Sequence, residues 1–153
     1  MKVLNLLLSV MLIATLTNCS EDNENVDDNV GSGKISATID GVKVDFENVQ
    51  GAKAIGKIAI SGTKDGKEIS ILFDDNINEG SFGYDDEVFV MTYTSNNGDS
   101  GLITTGGSVN ITKHDESGNH IIGTFDVEFG NYGYEGSVKA KGSFDIKYAE
   151  AKL

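Results

Sequence analysis

The feature that most constrains the fold is a period-two alternation of apolar and polar residues from about residue 34 almost to the C-terminus. Ile35, Ala37 and Ile39 alternate with polar residues, and a matching run follows the pair Asp40-Gly41. Successive side chains of a strand point to opposite faces, so the pattern predicts strands with one buried face. An Asp-Gly pair between two such runs predicts a β-hairpin with a type I′ turn.

Turn signals recur at short intervals along the rest of the chain, and long helical stretches with capping signals are absent. A second pair, Asp65-Gly66, predicts another hairpin. Further strands are predicted at residues 54–63, 68–73, 88–95, 108–114, 120–129 and 137–148, with a short one at 82–84. We therefore predict one all-β domain over residues 34–153, an antiparallel β-sandwich or small barrel of about 7–9 strands.

The last two predicted strands contain a repeat. The segment Gly123–Phe129 matches the segment Gly142–Tyr148 position for position. In each copy the aromatic and aliphatic residues share one face, and the aspartate points to the other. We interpret the glycine as a small residue where the strand bends, followed by anchors of the core.

The N-terminus has the three parts of an export signal. Lys2 supplies the positive charge, and residues 3–16 form an apolar run that is short for a membrane span, which needs about 20 residues. The run ends in Leu16-Thr17-Asn18-Cys19, which resembles the bacterial lipobox. The resemblance implies a signal peptide over residues 1–18 and a lipid on Cys19. Because Cys19 is the sole cysteine, no disulfide framework exists within the chain.

Residues 19–33 are polar and acidic, with few apolar side chains. Such a segment buries too little surface to offset its ordering entropy, so we predict a flexible tether. Its acidic start, Ser20–Glu24, resembles the surface-export signal of Bacteroidota lipoproteins. The resemblance implies the outer leaflet of the outer membrane, at the cell surface; a periplasm-facing position is the alternative.

The mature chain also resembles a family of small Bacteroidota lipoproteins of unknown function. The shared outline comprises the lipobox, the tether, an opening I-x-A-x-I-D-G hairpin over Ile35–Gly41 and a V-x-I-T strand over Val109–Thr112. A closing pair of strands that begin G-T/S-F completes it. These are packing and turn motifs, so the resemblance implies a fold and a location and carries over no catalytic residue.

Composition disfavours several classes of function. The formal net charge of −12 repels nucleic acid and anionic lipid headgroups, so neither is expected as a partner. The chain has no Arg and no Trp, which disfavours a strong anion or glycan site. It has no G-x-S-x-G nucleophile elbow and no cysteine beyond Cys19. We predict a protein that is not an enzyme and carries no cofactor.

Two groups of residues are candidates for a metal site, with solvated loops as the alternative for each. His114 and His120 would face each other across a five-residue loop, which makes them weak candidates for Zn²⁺ or Cu²⁺. Acidic clusters at Asp74–Asn76, Asn78-Glu79 and Asp85–Glu87 offer oxygen ligands for Ca²⁺, but the D-x-D-x-D-G spacing is missing there and at Asn96–Asp99. We expect solvated turns and no metal.

The leading functional hypothesis is a binding or interaction module, held at the membrane by the lipid on Cys19, with its loops as the contact surface. The alternative is a lipocalin-like carrier of a small apolar ligand inside the barrel. Val88–Met91 is apolar on both faces, which fits either a covered central strand or the lining of a cavity or contact site. A filled interior favours the module, and a cavity of several hundred Å³ favours the carrier.

Overall fold

A computed structural model of the chain describes residues 31–95, 101–131 and 136–151. Within these ranges the chain is almost entirely strand, with one short 3-10 turn at Tyr84–Asp86. The strands are β1 (Gly31–Ile39), β2 (Val42–Ala54), β3 (Lys57–Lys64), β4 (Lys67–Asp74), β5 (Gly80–Gly83), β6 (Phe89–Thr94), β7 (Leu102–Asp115), β8 (His120–Gly130), β9 (Ser137–Lys147) and β10 (Ala149–Glu150).

Eight of these strands close into an antiparallel barrel in the order β1-β9-β8-β7-β6-β4-β3-β2, and β2 pairs back with β1. Closure removes the unpaired edges that an open sheet would leave. Two short strands lie outside the ring: β5 pairs with β7, and β10 pairs with β2 in parallel. The predicted all-β class is confirmed, and of the two predicted architectures the chain adopts the barrel.

Both predicted Asp-Gly hairpins form. Asp40 and Gly41 have φ values of 46° and 83°, and Asp65 and Gly66 have values of 47° and 71°. Positive φ at both central positions is what a type I′ turn requires, because this turn matches the right-handed twist of the strands that it joins. A third two-residue turn, at Ile55-Gly56, lies inside the strand that the sequence predicts at residues 54–63.

The antiparallel order gives the barrel two distinct ends. The turns at Asp40-Gly41 and Asp65-Gly66 lie at one, which we call the distal end. The described chain begins at the other with Gly31, and we call it the tether end. The Ile55-Gly56 turn and the Asp115–Asn119 turn also lie at the tether end.

The inner faces of the strands are buried and form one core cluster. Phe73 on β4 and Phe144 on β9 come from opposite walls of the ring, yet their ring centroids lie 5.6 Å apart. Side chains from facing walls therefore meet in the middle of the barrel. At the level of this aromatic pair the interior is filled, as in small barrels whose cores are closed by side chains.

The wall is irregular between β6 and β7. Their ladder consists of Thr92 opposite Ile103 and Tyr93 opposite Leu102. Where the strands separate, the buried Thr104 hydroxyl accepts a hydrogen bond from the Met91 N–H and donates one to the Met91 carbonyl, each at 2.9 Å. A side chain thus continues the backbone ladder and satisfies groups that would otherwise be unpaired.

The first strand starts earlier than predicted. It begins at Gly31 and pairs there with Gly51, so Gly31–Gly33 belong to the barrel and not to the tether that the sequence predicts. At Gly31 a Cβ would stand 1.9 Å from the Lys147 carbonyl oxygen, so the close approach of β9 requires glycine. The predicted signal peptide, Cys19 and the remainder of the predicted tether lie outside the described residues.

Candidate functional site

The register of the β7–β8 hairpin decides where the two histidines point. Val109 pairs with Phe125 and Ile111 with Gly123, in the register that would place His114 opposite His120. A bulge follows, however, and Lys113 pairs with Ile122. A bulge puts one extra residue into one strand, and a one-residue shift moves every later side chain to the other face. His114 therefore lies opposite the buried Ile121 and points to the inside of the barrel at its tether end.

The prediction that His114 faces His120 is wrong for this reason. His120 pairs with Asp115 instead and lies on the outer face, where its Nε2 is 2.6 Å from Asp145 Oδ1. The two imidazoles lie on opposite sides of the barrel wall, so they cannot chelate one ion together. The sequence carries no clear signal for the bulge, because Thr112 fits a regular strand equally well.

His114 is held by two hydrogen bonds. Its Nδ1 lies 2.7 Å from the Ile77 carbonyl oxygen, and its Nε2 lies 3.0 Å from the Tyr148 hydroxyl. A carbonyl can only accept, so Nδ1 must carry the proton. In the neutral ring Nε2 is then an acceptor, and Tyr148 donates to it. Nδ1 carries a proton and the Nε2 lone pair accepts a hydrogen bond, so a metal could bind His114 only by breaking this network.

Tyr148 is the buried partner in this network, with 3% of its surface exposed. Its backbone N–H donates to the Asn119 carbonyl at 2.9 Å. Burial, followed by the negative charges of Glu116 and Glu150 and of further carboxylates nearby, raises the pKa of its hydroxyl above the usual 10.0. The phenol is therefore protonated and available as a donor across the physiological range.

Together these contacts form what we call the His–Tyr clamp, namely His114, Tyr148 and the Ile77 carbonyl. The clamp joins the end of β7, the segment that follows β9 and the connection between β4 and β5. Its groups satisfy one another and are directed inward. Chemically this arrangement fixes three chain segments at the tether end, and it presents no free nucleophile or base to a substrate.

The acidic clusters do not converge on a common point. Asp74 pairs with Lys57, and Asp75 Oδ2 lies 3.6 Å from Lys53 Nζ. Asp86 accepts a hydrogen bond from the Gly83 N–H at 2.7 Å and so caps the 3-10 turn. Among the described residues no group of three or more His, Cys, Asp or Glu side chains is placed to hold a metal ion. The candidate segment Asn96–Asp99 lies outside those residues.

The strand Val88–Met91 is used for packing on its inner face. Phe89 and Met91 belong to the buried core, while Val90 lies on the outer face opposite Leu72. Tyr93 continues the inner face and stacks on Phe129, with centroids 5.9 Å apart.

The outer surface of the barrel is divided into two walls of different character. On β2, β3, β4 and β6 the outer positions include two neighbouring rows that carry no charge, and we call these rows the uncharged wall. One row is Ala52, Ala59, Leu72 and Val90, and the other is Gln50, Ser61, Ser70 and Thr92. These side chains are half-buried, and Leu72 is buried. Charged side chains occupy the outer faces of β8 and β9, namely Asp126, Glu128, Lys139, Lys141, Asp145 and Lys147.

Two large aliphatic side chains are prominent at turns. Ile55 is 76% exposed at the tether end, and Val42 is 61% exposed at the distal end. Ile55 also has a φ of 51°, in the left-handed region that β-branched residues rarely adopt. The sequence does not predict this turn, because Ile-Gly is an unusual pair for it and Gly56 is the only turn signal there.

Comparison of the chain with protein-family models, with curated proteins and with solved structures gave no match. No helix among the described residues is long and apolar enough to cross a membrane. The observations that bear on function are therefore those of the barrel itself, its two ends and its two walls.

Proposed function

We propose that the protein is a lipid-anchored lipoprotein of the bacterial cell envelope that acts as a binding module through the outside of its barrel. The lipobox-like segment Leu16–Cys19 and the acidic residues that follow support an anchor on Cys19 at the outer membrane, at the cell surface. The chain would then supply a rigid domain on a short tether, with an unidentified protein as its partner.

The observation that carries the choice of a module is the contact between Phe73 and Phe144. A lipocalin-like carrier needs open space between facing walls, since ligand pockets have volumes of about 300–1,000 Å³. Here rings from opposite walls meet at 5.6 Å, and Phe125, Phe144 and Ile146 are all buried in the same core. At this level of the barrel side chains occupy the space between the walls that a ligand would need, which favours recognition on the outer surface.

The uncharged wall is the surface that we propose for this recognition, in place of the loops that the sequence suggested. The chain carries a net charge of −12, so most of its surface repels other acidic proteins. Most side chains of the uncharged wall are short, and none of them carries a charge that would have to be desolvated when a partner binds. A flat partner surface of mixed apolar and polar character fits such a wall.

Mass spectrometry of the intact protein, extracted from its own membranes under native conditions, tests the anchor and the choice between module and carrier. We expect a chain that begins at Cys19 and carries acyl groups, with no stoichiometric small molecule. An unmodified Cys19 or an intact Met1 would contradict the anchor. A bound apolar molecule in a one-to-one ratio would favour the carrier over the module.

Site-specific photo-crosslinking in living cells tests the contact surface. A photoreactive residue at Ala59, in the uncharged wall, should give a discrete adduct with one partner. The same residue at Thr124, which is exposed on the outer face of β8, is the matched control and should not give that adduct. Equal labelling from both positions, or none from Ala59, would count against the wall as the binding surface.

A further inference from the structure

Ile55 combines two unfavourable properties, one of its backbone and one of its side chain. Its backbone is in the left-handed region at φ 51°, where a β-branched side chain is sterically strained. Its side chain is also the most exposed of the large apolar residues described, at 76%. Asparagine or glycine would fit the turn better, so neither the backbone nor the core explains an isoleucine here. Such an outlier points to a function outside the fold itself.

The tip that carries Ile55 projects into open space. A Cβ added at the next residue, Gly56, would meet no atom within 4 Å. Below the tip, the charges of the hairpin are compensated, because Lys53 and Lys57 pair with Asp75 and Asp74. The protruding end is therefore apolar and locally neutral, although the chain as a whole is acidic.

The position of the tip relative to the tether identifies what it can reach. Gly31, where the tether joins the barrel, pairs with Gly51, and β2 continues past that level before it turns at Ile55. The tip thus extends further toward the anchored side than the start of β1 does. The turn at Asp115–Asn119, on the opposite side of the ring at this end, is polar and acidic and contributes no apolar side chain.

The length of the tether favours an orientation with this end toward the membrane. The residues between Cys19 and Gly31 reach at most about 40 Å when fully extended. A strand such as β9, with 11 residues, spans roughly 30 Å along a tilted barrel. If the distal end faced the bilayer, the tether would have to run almost straight along the whole barrel. If the tether end faces the bilayer, the tether does not need to be extended.

We propose that Ile55 inserts into the lipid surface that carries the anchor and so orients the barrel on the membrane. The inference rests on the proposed lipid anchor at Cys19. An apolar side chain gains free energy when it moves from water into the acyl boundary, and covalent attachment keeps it close to that boundary. One side chain is too little to bind a membrane alone, but it is enough to select an orientation.

The absence of tryptophan from the chain permits a direct test. Ile55→Trp and Val42→Trp each introduce a single fluorophore, at the tether end and at the distal end. The full lipidated proteins are reconstituted in phosphatidylcholine vesicles with brominated acyl chains. We expect the emission of Ile55→Trp to shift to shorter wavelength and to lose intensity to the bromine, while Val42→Trp keeps the emission of an aqueous indole.

Equal quenching at the two positions, or quenching at Val42→Trp alone, would overturn the proposal. Hydrogen exchange of the lipidated wild-type protein gives a second measurement. Exchange of the Ile55 and Gly56 amides should slow on vesicles, and exchange of the Asp40 and Gly41 amides should not. Flotation and intact mass report on the anchor separately. A protein that lacks lipid and fails to float would refute the proposed function, and this inference with it. A floating protein whose Ile55→Trp emission is unchanged would refute the inference alone.

Discussion

The ring of Phe125 lies over Gly142 on the neighbouring strand, so closely that a Cβ at Gly142 would stand 2.6 Å from its Cζ. The reciprocal contact joins Phe144 to Gly123, where the same distance would be 2.5 Å. Each copy of the sequence repeat thus leaves space for the aromatic ring of the other copy. The repeat is one packing solution used twice across an antiparallel pair, which explains why glycine and phenylalanine recur together.

Gly142→Ala should therefore destabilise the barrel. The added methyl would meet both the Phe125 ring and the Ser36 carbonyl oxygen, which lies 2.3 Å from the Cβ position. Overpacking of this kind costs about 1–3 kcal/mol in the free energy of unfolding. Chemical denaturation measures it. Gly106→Ala is the matched control, since its nearest atom is 3.9 Å away, and an equal loss there would show that the effect is not steric.

Phe144→Ala should be the more damaging change, because it removes a ring that fills the middle of the barrel against Phe73. Large-to-small changes at buried phenylalanine cost about 3–5 kcal/mol. Phe82→Ala, at a half-buried position on β5, should cost clearly less. Urea unfolding of the two variants would compare them. A similar loss in both would mean that the interior is less tightly filled than the Phe73–Phe144 contact indicates.

Thr104→Val tests the side-chain bridge between β6 and β7. The change keeps the shape but leaves the Met91 N–H and carbonyl without their partner, which should cost about 1–3 kcal/mol. Hydrogen exchange of the Met91 amide should accelerate with it. Thr104→Ser retains the hydroxyl and should restore the protection of that amide. If the serine variant exchanges as fast as the valine variant, the methyl group rather than the hydroxyl holds this part of the wall.

Ile55→Asn should stabilise the isolated fold. The substitution converts Ile55-Gly56 into an Asn-Gly pair, which accepts positive φ at both positions. A left-handed conformation costs most residues about 1–2 kcal/mol, and asparagine avoids part of that cost. Thermal unfolding in detergent solution should show a higher midpoint. A lower midpoint would mean that Ile55 has a structural role that its exposure does not reveal.

The His–Tyr clamp should make stability depend on alkaline pH. The pKa of Tyr148 is raised in the folded protein from the ordinary 10.0. The folded state keeps this proton at a pH where the unfolded state has lost it, so the contribution is complete below pH 10 and declines as the pH rises further. Denaturation midpoints from pH 8 to pH 11 should fall less steeply in Tyr148→Phe than in the wild type. Parallel curves would assign the alkaline loss to lysines instead.

Local patterns predicted the fold class and most strands, since alternation and the Asp-Gly turns act within one hairpin. Closure of the ring depends on the pairing of β1 with β9, two strands that are far apart in the sequence. Local patterns do not predict such a pairing, so they do not distinguish a barrel from a sandwich. The bulge near Thr112 changes the candidate site more than closure does, because it places His114 and His120 on opposite faces of the barrel wall. Tyr148 continues the alternation of Phe144 and Ile146, but its hydrogen bond to His114 could be recognised only with the register known.

The way β1 joins the barrel has a mechanical consequence. Gly31 starts a strand that is hydrogen-bonded to β2 on one side and to β9 on the other. A force applied through the N-terminal tether would act along this strand and load both ladders in shear at the same time. An edge strand would instead be peeled away one hydrogen bond after another. Under the proposed attachment through Cys19, the barrel would be held by an element that resists being pulled out.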